Sequence, residues 1–259
     1  MFIGVPKEIK TDEYRVGLTP LTVKELTARG HRVAVETMAG AGAGIADHEY
    51  IAAGAEIVAS ADQIFQRAEL IVKVKEPLAP ERKQLRRGQI IFTYLHLAPD
   101  PEQTRELMAS GVTALAYETV TDAAGKLPLL APMSGVAGRM APQVAAHFLQ
   151  RPQGGRGILL GRIEGAPSAE VAVLGVGVVG THAAEMAIGM GANVTVTARS
   201  LEARRHLSQL FGERVRFVTA DAGAIEALCT SADVVIGAAL VAGGTASASS
   251  ISVTYCCRT

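Results

Sequence analysis

Three segments of the first hundred residues each carry a charged or titratable side chain where an apolar, strand-like run ends. Arg15 lies in EYRVGLTP, Lys75 in IVKVKEP and His96 in FTYLHLAP. Arginine and lysine can hold a small carboxylate, the arginine as a bidentate fork and the lysine as a point charge. A histidine, whose ordinary pKa is about 6.5, can exchange protons with a carbonyl or hydroxyl group. Spacing alone leaves open that Lys73 and Lys75 are solvated strand ends and that His96 is a packing residue.

A glycine-rich turn follows another apolar run later in the chain. Gly175, Gly177 and Gly180 form GVGVVG, directly before a helical pattern that begins at Val178. In this setting the first glycine makes a tight turn, the second lets the backbone approach a pyrophosphate, and the third lets helix and strand pack closely. The amides at the helix start, with Val178 and Val179, then face the phosphates. The motif predicts a dinucleotide site; the alternative is an ordinary turn.

The next strand lacks the acid that such sites place about 20 residues after the turn. Ala198 occupies that position and Arg199 follows it. A carboxylate there accepts a hydrogen bond from the ribose 2′-hydroxyl of NAD. Without it a 2′-phosphate is no longer repelled, and Arg199 with Ser200 could receive it. Three outcomes stay open: NAD is retained, NADP is accepted, or the site has little affinity.

The elements that must position these residues are short β-branched runs that alternate with helical patterns, as is typical of βα units and parallel sheets. The sequence therefore predicts an α/β protein of two domains, each with a mainly parallel sheet. The second is a Rossmann-type nucleotide-binding domain that is incomplete at its C-terminal end. We assign 1–132 to a substrate and catalytic domain, 133–170 to a connector helix and linker, 171–244 to the partial Rossmann domain, and 245–259 to a tail.

Composition excludes several classes of function. Lys and Arg (25) balance Asp and Glu (25) over 259 residues, so no positive field collects nucleic acid or an anionic membrane surface. No apolar run approaches the roughly 18 residues of a membrane span, and the N-terminus has no signal-peptide pattern, so we expect a cytoplasmic protein. The three cysteines, Cys229, Cys256 and Cys257, match neither a disulfide framework nor zinc-ligand spacing, and we expect no metal.

Eight segments of the chain resemble the bacterial L-alanine dehydrogenases. They are GVPKEIK, RVGLTP, VKVKEP, FTYLHLA, AYETV, LPLLAPMS, AGRMAPQ and GGRGILLG, and the similarity runs from residue 1 to about Gly244. The related nucleotide-binding subunit of proton-translocating transhydrogenases shares the RVxxTP-like and GxGxxG elements. It lacks the lysine and the histidine that stand here as Lys75 and His96, so these two residues favour the dehydrogenase.

The resemblance implies the reversible, NAD-dependent oxidative deamination of L-alanine to pyruvate and ammonium. Arg15 and Lys75 would hold the substrate carboxylate, and His96 would act as acid and base at the carbinolamine or carbonyl oxygen. Family members are homo-oligomers, often hexamers, so the expected partners are these small molecules and further copies of the chain. The full set expected to contact the cofactor is Ser134, Gly175, Gly177, Val178, Val179, Gly180, Ala198, Arg199, Ala239 and Leu240.

The sequence departs from the family pattern on the adenosine side and at its end. Ala198 stands in place of the ribose-binding Asp, Ala203 in place of a basic residue and Ala220 in place of a serine, so three contacts are weakened together. After Gly244 the family continues to a catalytic Asp in a VDxAxDQGG-like run, whereas this chain reads TASASSISVTYCCRT. We interpret this as a truncated or frameshifted product with impaired dehydrogenation. The open alternatives are a catalytically inert nucleotide-binding homologue and an NADP-using variant.

Overall fold

The computed structural model describes residues 1–239 and the strand Ser252–Tyr255. The chain forms two compact units, Met1–Leu129 and Leu130–Thr259, which we call the N-terminal and C-terminal units. Among the described residues, no helix is long and apolar enough to cross a lipid bilayer.

The N-terminal unit is built on a six-stranded sheet in the order β3-β2-β1-β4-β5-β6, in which every neighbouring pair is parallel. Its strands are β1 (Phe2–Val5), β2 (Arg32–Glu36), β3 (Glu56–Val58), β4 (Leu70–Val72), β5 (Ile90–Thr93) and β6 (Thr113–Ala116). Its helices are α1 (Pro20–Ala28), α2 (Asp47–Ala52), α3 (Ala61–Arg67), α4 (Ala79–Arg82) and α5 (Pro101–Ser110).

Both faces of this sheet are covered, as a parallel sheet requires. On β2, Val33 and Val35 join one apolar cluster whereas Ala34 joins another, because successive side chains of a strand point to opposite faces. Helix starts are fixed by side-chain caps: the Thr19 hydroxyl accepts from the Thr22 amide before α1, and the Asp100 carboxylate accepts from the Gln103 amide before α5.

The C-terminal unit contains a five-stranded sheet in the order β11-β10-β7-β8-β9. The strands β7 (Glu170–Leu174), β8 (Asn193–Ala198), β9 (Val215–Thr219) and β10 (Val234–Gly237) are parallel, and β11 (Ser252–Tyr255) is antiparallel to β10. Its helices are α6 (Ala131–Phe148), α7 (Val178–Gly189), α8 (Leu201–Phe211) and α9 (Ala222–Ser231). The α/β class with two mainly parallel sheets is confirmed.

Two features differ from the sequence-based expectation. The helix assigned to the connector is α6, which begins at Ala131 and belongs to the C-terminal unit. It packs closely on α7, since a Cβ atom at Gly138 would lie 2.4 Å from the Val179 carbonyl oxygen. The segment 245–259, which we assigned to a tail, contributes the strand β11 to the edge of the sheet. The other residues of this segment lie outside the described part of the chain.

Candidate active site

The loop that carries Arg15 runs from β1 to α1 and passes directly over the end of β4. A Cβ atom at Gly17 would lie 2.6 Å from the Val72 carbonyl oxygen, so only glycine lets the loop come this close. The Arg15 guanidinium donates to Glu13 through Nε (2.8 Å, to Oε1) and Nη2 (2.5 Å, to Oε2). This fork fixes the direction of the guanidinium, whose side chain remains 47% exposed.

Glu13 couples Arg15 to Lys75 electrostatically. The hydrogen bond from Arg15 is the largest effect that lowers the pKa of Glu13, and the positive charge of Lys75 acts in the same direction against the opposing effect of burial. Lys75 is therefore close enough for its charge to stabilise the carboxylate that orients Arg15. The two predicted substrate-binding cations flank one buried carboxylate.

The backbone before Lys75 is held by a second carboxylate. Glu8 Oε1 accepts hydrogen bonds from the amides of Val74 (2.6 Å) and Lys75 (3.3 Å). The Lys75 side chain is 24% exposed, and its Nζ lies 4.0 Å from Glu76 Oε2. At this distance the ion pair is long, so the ammonium keeps much of its capacity to attract an anion.

Lys73 has a structural role, and the interpretation of it as a solvated strand end is wrong. Its side chain is fully buried, and Nζ lies 3.1 Å from Glu8 Oε2 and 2.6 Å from Glu81 Oε1. Burial is the main cause that raises the pKa of Glu81, opposed by the charge of Lys73. These three side chains, Glu8, Lys73 and Glu81, form the buried triad beneath the Lys75 backbone.

His96 lies just beyond β5 in a left-handed backbone conformation, with φ of +48°. The Glu118 carboxylate stabilises this turn, since its Oε1 accepts from the amides of Leu95 (3.1 Å) and His96 (2.7 Å). The imidazole is exposed and lies parallel to the Tyr94 ring, with 6.1 Å between centroids and 13° between planes. The histidine is therefore accessible and is not a packing residue.

Tyr94 connects His96 to Arg15. Its hydroxyl donates to the Leu129 carbonyl oxygen (2.5 Å), and burial raises the pKa of the phenol while the charge of Arg15 opposes that rise. Four residues of this neighbourhood were not singled out from the sequence, although they lie within the segments GVPKEIK, EYRVGLTP, FTYLHLA and AYETV. They are Glu8, Glu13, Tyr94 and Glu118.

The three predicted catalytic and substrate-binding residues thus lie at one edge of the N-terminal sheet. β1, β4 and β5 are adjacent and parallel, so the loops after them emerge side by side. Arg15, Lys75 and His96 follow these strands in that order, linked through Glu13 and Tyr94. Two cations beside an accessible imidazole can hold a small carboxylate, and the imidazole can exchange a proton with a neighbouring carbonyl or hydroxyl group of the same molecule.

The glycine-rich turn in the C-terminal unit is shaped by its first and third glycines. Gly175 has φ of +115°, and a Cβ at Gly180 would lie 2.0 Å from the Gly175 carbonyl oxygen, so the first glycine makes the turn and the third lets α7 pack on it. A Cβ at Gly177 would meet no atom within 4 Å. The space beside Gly177 is open at the start of α7, where Val178 is exposed and no side chain caps the helix.

The residues predicted to contact the adenosine lie at the end of β8 and in the loop after it. Ala198 is the last residue of β8 and is 2% exposed, and Arg199 after it is exposed. The Ser200 hydroxyl caps α8 by accepting from the Ala203 amide (3.1 Å). Ala203 and Ala220 present only methyl groups.

The remaining residues predicted to contact the cofactor are Ser134, Ala239 and Leu240, and they differ in position and exposure. Ala239 is exposed, and its amide nitrogen lies beside Gly175, 3.0 Å from where a Cβ would be. Leu240 lies outside the described residues. Ser134 is half-buried in the first turns of α6, next to Gly135, which faces the His182 ring on α7.

A cavity of about 440 Å³ lies elsewhere in the C-terminal unit, at the amino end of β8, where Asn193 and Arg216 contribute to its lining. Because Gly175 and Arg199 lie at the carboxyl ends of their strands, this cavity belongs to the opposite edge of the sheet. Among the described residues there is no cluster of three or more His, Cys, Asp or Glu side chains suited to hold a metal ion.

Comparison with known families gives a match for each of the two units. The family described as "Alanine dehydrogenase/PNT, N-terminal domain" matches residues 4–137, and "Alanine dehydrogenase/PNT, C-terminal domain" matches residues 141–249. The chain therefore belongs to the alanine dehydrogenase/PNT family, as the sequence motifs predict.

Curated relatives point to the dehydrogenase branch of that family. Over 246 residues the chain is 50% identical to an alanine dehydrogenase of Mycolicibacterium smegmatis and 48% identical to one of Bacillus subtilis. These alignments cover 95% of this chain but only 66% and 65% of the relatives, so the chain spans slightly less than two thirds of their length.

Solved structures show the same similarity. An L-alanine dehydrogenase superposes with a TM-score of 0.84 at 51% identity, covering 93% of this chain and 66% of that one. A transhydrogenase from Sinorhizobium meliloti superposes with a TM-score of 0.76 at 27% identity, covering 94% of this chain and 71% of the other.

Proposed function

We propose that this chain carries the substrate and dinucleotide sites of an L-alanine dehydrogenase. Such an enzyme converts L-alanine, water and an oxidised nicotinamide dinucleotide reversibly to pyruvate, ammonium, the reduced dinucleotide and a proton. The observation that supports this most is that Arg15, Lys75 and His96 lie together in the loops that follow the adjacent strands β1, β4 and β5. The family assignment supplies the reaction class that this grouping fits.

The glycine-rich turn fits the dinucleotide. The open space at Gly177 and the uncapped start of α7 leave room and amide donors for a pyrophosphate, and Gly175, Val178, Val179, Gly180 and Ala239 would line that end of the site. When bound, the nicotinamide supplies the acceptor for the hydride from the substrate Cα. Both NAD and NADP are candidates for that acceptor, and Ala198 and Arg199 decide between them.

The residues of the N-terminal unit would bind and orient the substrate. Arg15, held in direction by Glu13, and Lys75, held by the backbone bonds to Glu8, would attract the substrate carboxylate. His96 would take the proton from the carbinolamine hydroxyl as the C–N bond breaks, so that the carbonyl of pyruvate forms and the amino group leaves as ammonia. In the reverse direction the histidine would return that proton. Ser134 and Leu240 complete the proposed cofactor contacts.

We also propose that copies of this chain associate, with hexamers as the family's usual assembly. In support, α6 exposes Val136 and Met140, which lie four residues apart on one helix face and are 51% and 53% exposed. Sedimentation analysis of the purified chain tests this, with Met140→Glu as the variant expected to shift the distribution towards monomers. A wild-type chain that sediments as a monomer would contradict the proposal.

The site is tested by pyruvate binding and by turnover, measured on the same purified chain. Calorimetry should show saturable pyruvate binding that Lys75→Met and Arg15→Ala each weaken by about tenfold or more, since each removes a charge-assisted contact. Any turnover of L-alanine, followed by the absorbance of the reduced nicotinamide, should fall about 10²-fold or more in His96→Asn. His48→Asn, at an exposed histidine on α2, is the matched control.

The outcomes separate the parts of the proposal. Failure of the wild-type chain to bind pyruvate would contradict the assignment of the substrate site. Turnover that is unchanged by His96→Asn would contradict the role of the histidine. Pyruvate binding without turnover would support the binding site and favour the inert homologue.

A further inference from the structure

The end of β8 lacks an acceptor for an unmodified ribose. Ala198 closes the strand, paired in register with Thr219 of β9, and its methyl group is almost completely buried. A carboxylate at this position is what ordinarily binds the 2′-hydroxyl of NAD and repels the 2′-phosphate of NADP. Neither effect can come from a buried methyl group.

Arg199, the first residue after β8, is exposed and has no ion pair within residues 1–239. The nearest acidic residue in sequence is Glu202, which is exposed in the first turn of α8. In the loop after the neighbouring strand β9, the Asp221 carboxylate already accepts from the Ala224 amide before α9. Within the described residues, the Arg199 guanidinium therefore forms no ion pair with a carboxylate. Its fork of donors matches the oxygens of a phosphate.

Ser200 offers a second donor at the same turn. Its oxygen accepts the capping bond from the Ala203 amide, which occupies a lone pair and leaves the hydroxyl hydrogen to be donated. A phosphate oxygen next to Arg199 can accept that hydrogen without disturbing the cap of α8.

Arg199 belongs to the same edge as the glycine-rich turn. β7 and β8 are parallel neighbours, with Leu174 in register with Thr197, and the Gly175 amide donates to Thr197 Oγ1 (3.2 Å). Arg199 follows Thr197 by two residues. A dinucleotide whose pyrophosphate lies at Gly177 would therefore carry its adenosine ribose towards the end of β8, as in other sites of this topology.

We propose that Arg199 and Ser200 bind the 2′-phosphate of a phosphorylated dinucleotide, so that this chain prefers NADP to NAD. The inference rests on the proposed dinucleotide site and deepens it by naming the form of the cofactor. Arg199 attracts the phosphate dianion directly, whereas Glu202 opposes it from an exposed position. Because both charges are exposed to solvent, the preference decreases as ionic strength rises.

The test is calorimetric titration of the full chain with NADP, NAD, adenosine 2′,5′-bisphosphate and adenosine 5′-monophosphate. The wild-type chain should bind each 2′-phosphorylated ligand about tenfold or more tightly than its partner without that phosphate. Arg199→Ala should remove this preference while leaving NAD affinity within about twofold, since NAD presents no phosphate to that side chain. Ala198→Asp should reverse the preference; its thermal unfolding is measured as well, because the position is buried.

Arg162→Ala is the matched control. Arg162 is exposed in the loop that leads to β7, at the opposite edge of the same sheet, so the variant makes the same change in net charge without touching the site. It should retain the preference for the 2′-phosphate.

Two results would overturn the inference while the dinucleotide site stands. One is equal or tighter binding of NAD by the wild-type chain, and the other is an equal effect of Arg199→Ala and Arg162→Ala on NADP affinity. If neither dinucleotide binds, both this inference and the proposed cofactor site fail.

Discussion

Replacement of Lys73 by methionine isolates the energetic role of the buried triad. The variant keeps a side chain of similar length but removes the ammonium that lies 3.1 Å from Glu8 and 2.6 Å from Glu81, whose side chains are 3% and 4% exposed. Loss of one partner from a buried ion pair costs about 3–5 kcal/mol. Both carboxylates keep backbone donors, Val74 for Glu8 and Leu78 for Glu81. We therefore expect a loss near the lower end, about 3 kcal/mol.

The loss should depend on pH with a defined sign. Burial already raises the pKa of Glu81, and Lys73 is the main opposing influence, so the pKa should rise further in Lys73→Met. An acid whose folded pKa exceeds its unfolded value binds more protons in the folded state, and its contribution to stability falls as pH rises through that interval. The difference between variant and wild type should thus be smaller at about pH 5 than at about pH 8.

Urea unfolding followed by tyrosine fluorescence measures the free energy of unfolding of the N-terminal unit. The chain has no tryptophan, and four of its five tyrosines, Tyr14, Tyr50, Tyr94 and Tyr117, lie within Met1–Leu129. Lys83→Met is the control, at an exposed lysine directly after α4, and should change stability by no more than about 0.5 kcal/mol. Equal losses in the two variants, or a Lys73→Met loss that does not vary with pH, would refute the reasoning.

Three further predictions concern the turns that shape the two sites. Gly180→Ala should unfold or loosen the C-terminal unit, because its Cβ would lie 2.0 Å from the Gly175 carbonyl oxygen; Gly189→Ala, in open space on the same helix, should instead raise stability by up to about 1 kcal/mol in thermal unfolding. Gly177→Ala should leave the melting temperature unchanged yet weaken dinucleotide binding in calorimetry, and unchanged binding would show that no ligand uses that space. Glu118→Ala should cost about 1–2 kcal/mol in urea unfolding, since the Leu95 and His96 amides lose their acceptor, and a loss no larger than that of Glu102→Ala on the exposed surface would contradict this.

The sequence predicts the edge of the sheet where the site lies because strand ends are a local signal. Arg15, Lys75 and His96 each follow an apolar run, and in a parallel sheet such positions meet at one edge. The glycine motif is local as well, and the steric role of Gly180 follows from its spacing. Arg199 is identified by its distance from that motif.

What the sequence could not predict depends on contacts between distant segments. Lys73 pairs with Glu8, 65 residues earlier in the chain, so no local pattern distinguishes it from the neighbouring Lys75. Likewise, the connection of Tyr94 to both Arg15 and His96 arises only when the loops after β1 and β5 fold towards each other.

The three cations at the carboxyl ends of β1 and β4, Arg15, Lys73 and Lys75, differ in the interactions they make. Lys73 forms buried ion pairs with Glu8 and Glu81. The Arg15 guanidinium is held in one direction by its hydrogen bonds to Glu13. Within residues 1–239, the Lys75 ammonium has a long ion pair, 4.0 Å from Glu76 Oε2, and its side chain is partly exposed. In the proposed substrate site, Lys75 would therefore attract a carboxylate mainly through its charge, whereas Arg15 would orient it through a guanidinium whose direction is already fixed. On this proposal the carboxylates Glu8 and Glu13 do more than neutralise charge, because Glu8 pairs with Lys73 and leaves Lys75 available, and Glu13 sets the direction of Arg15.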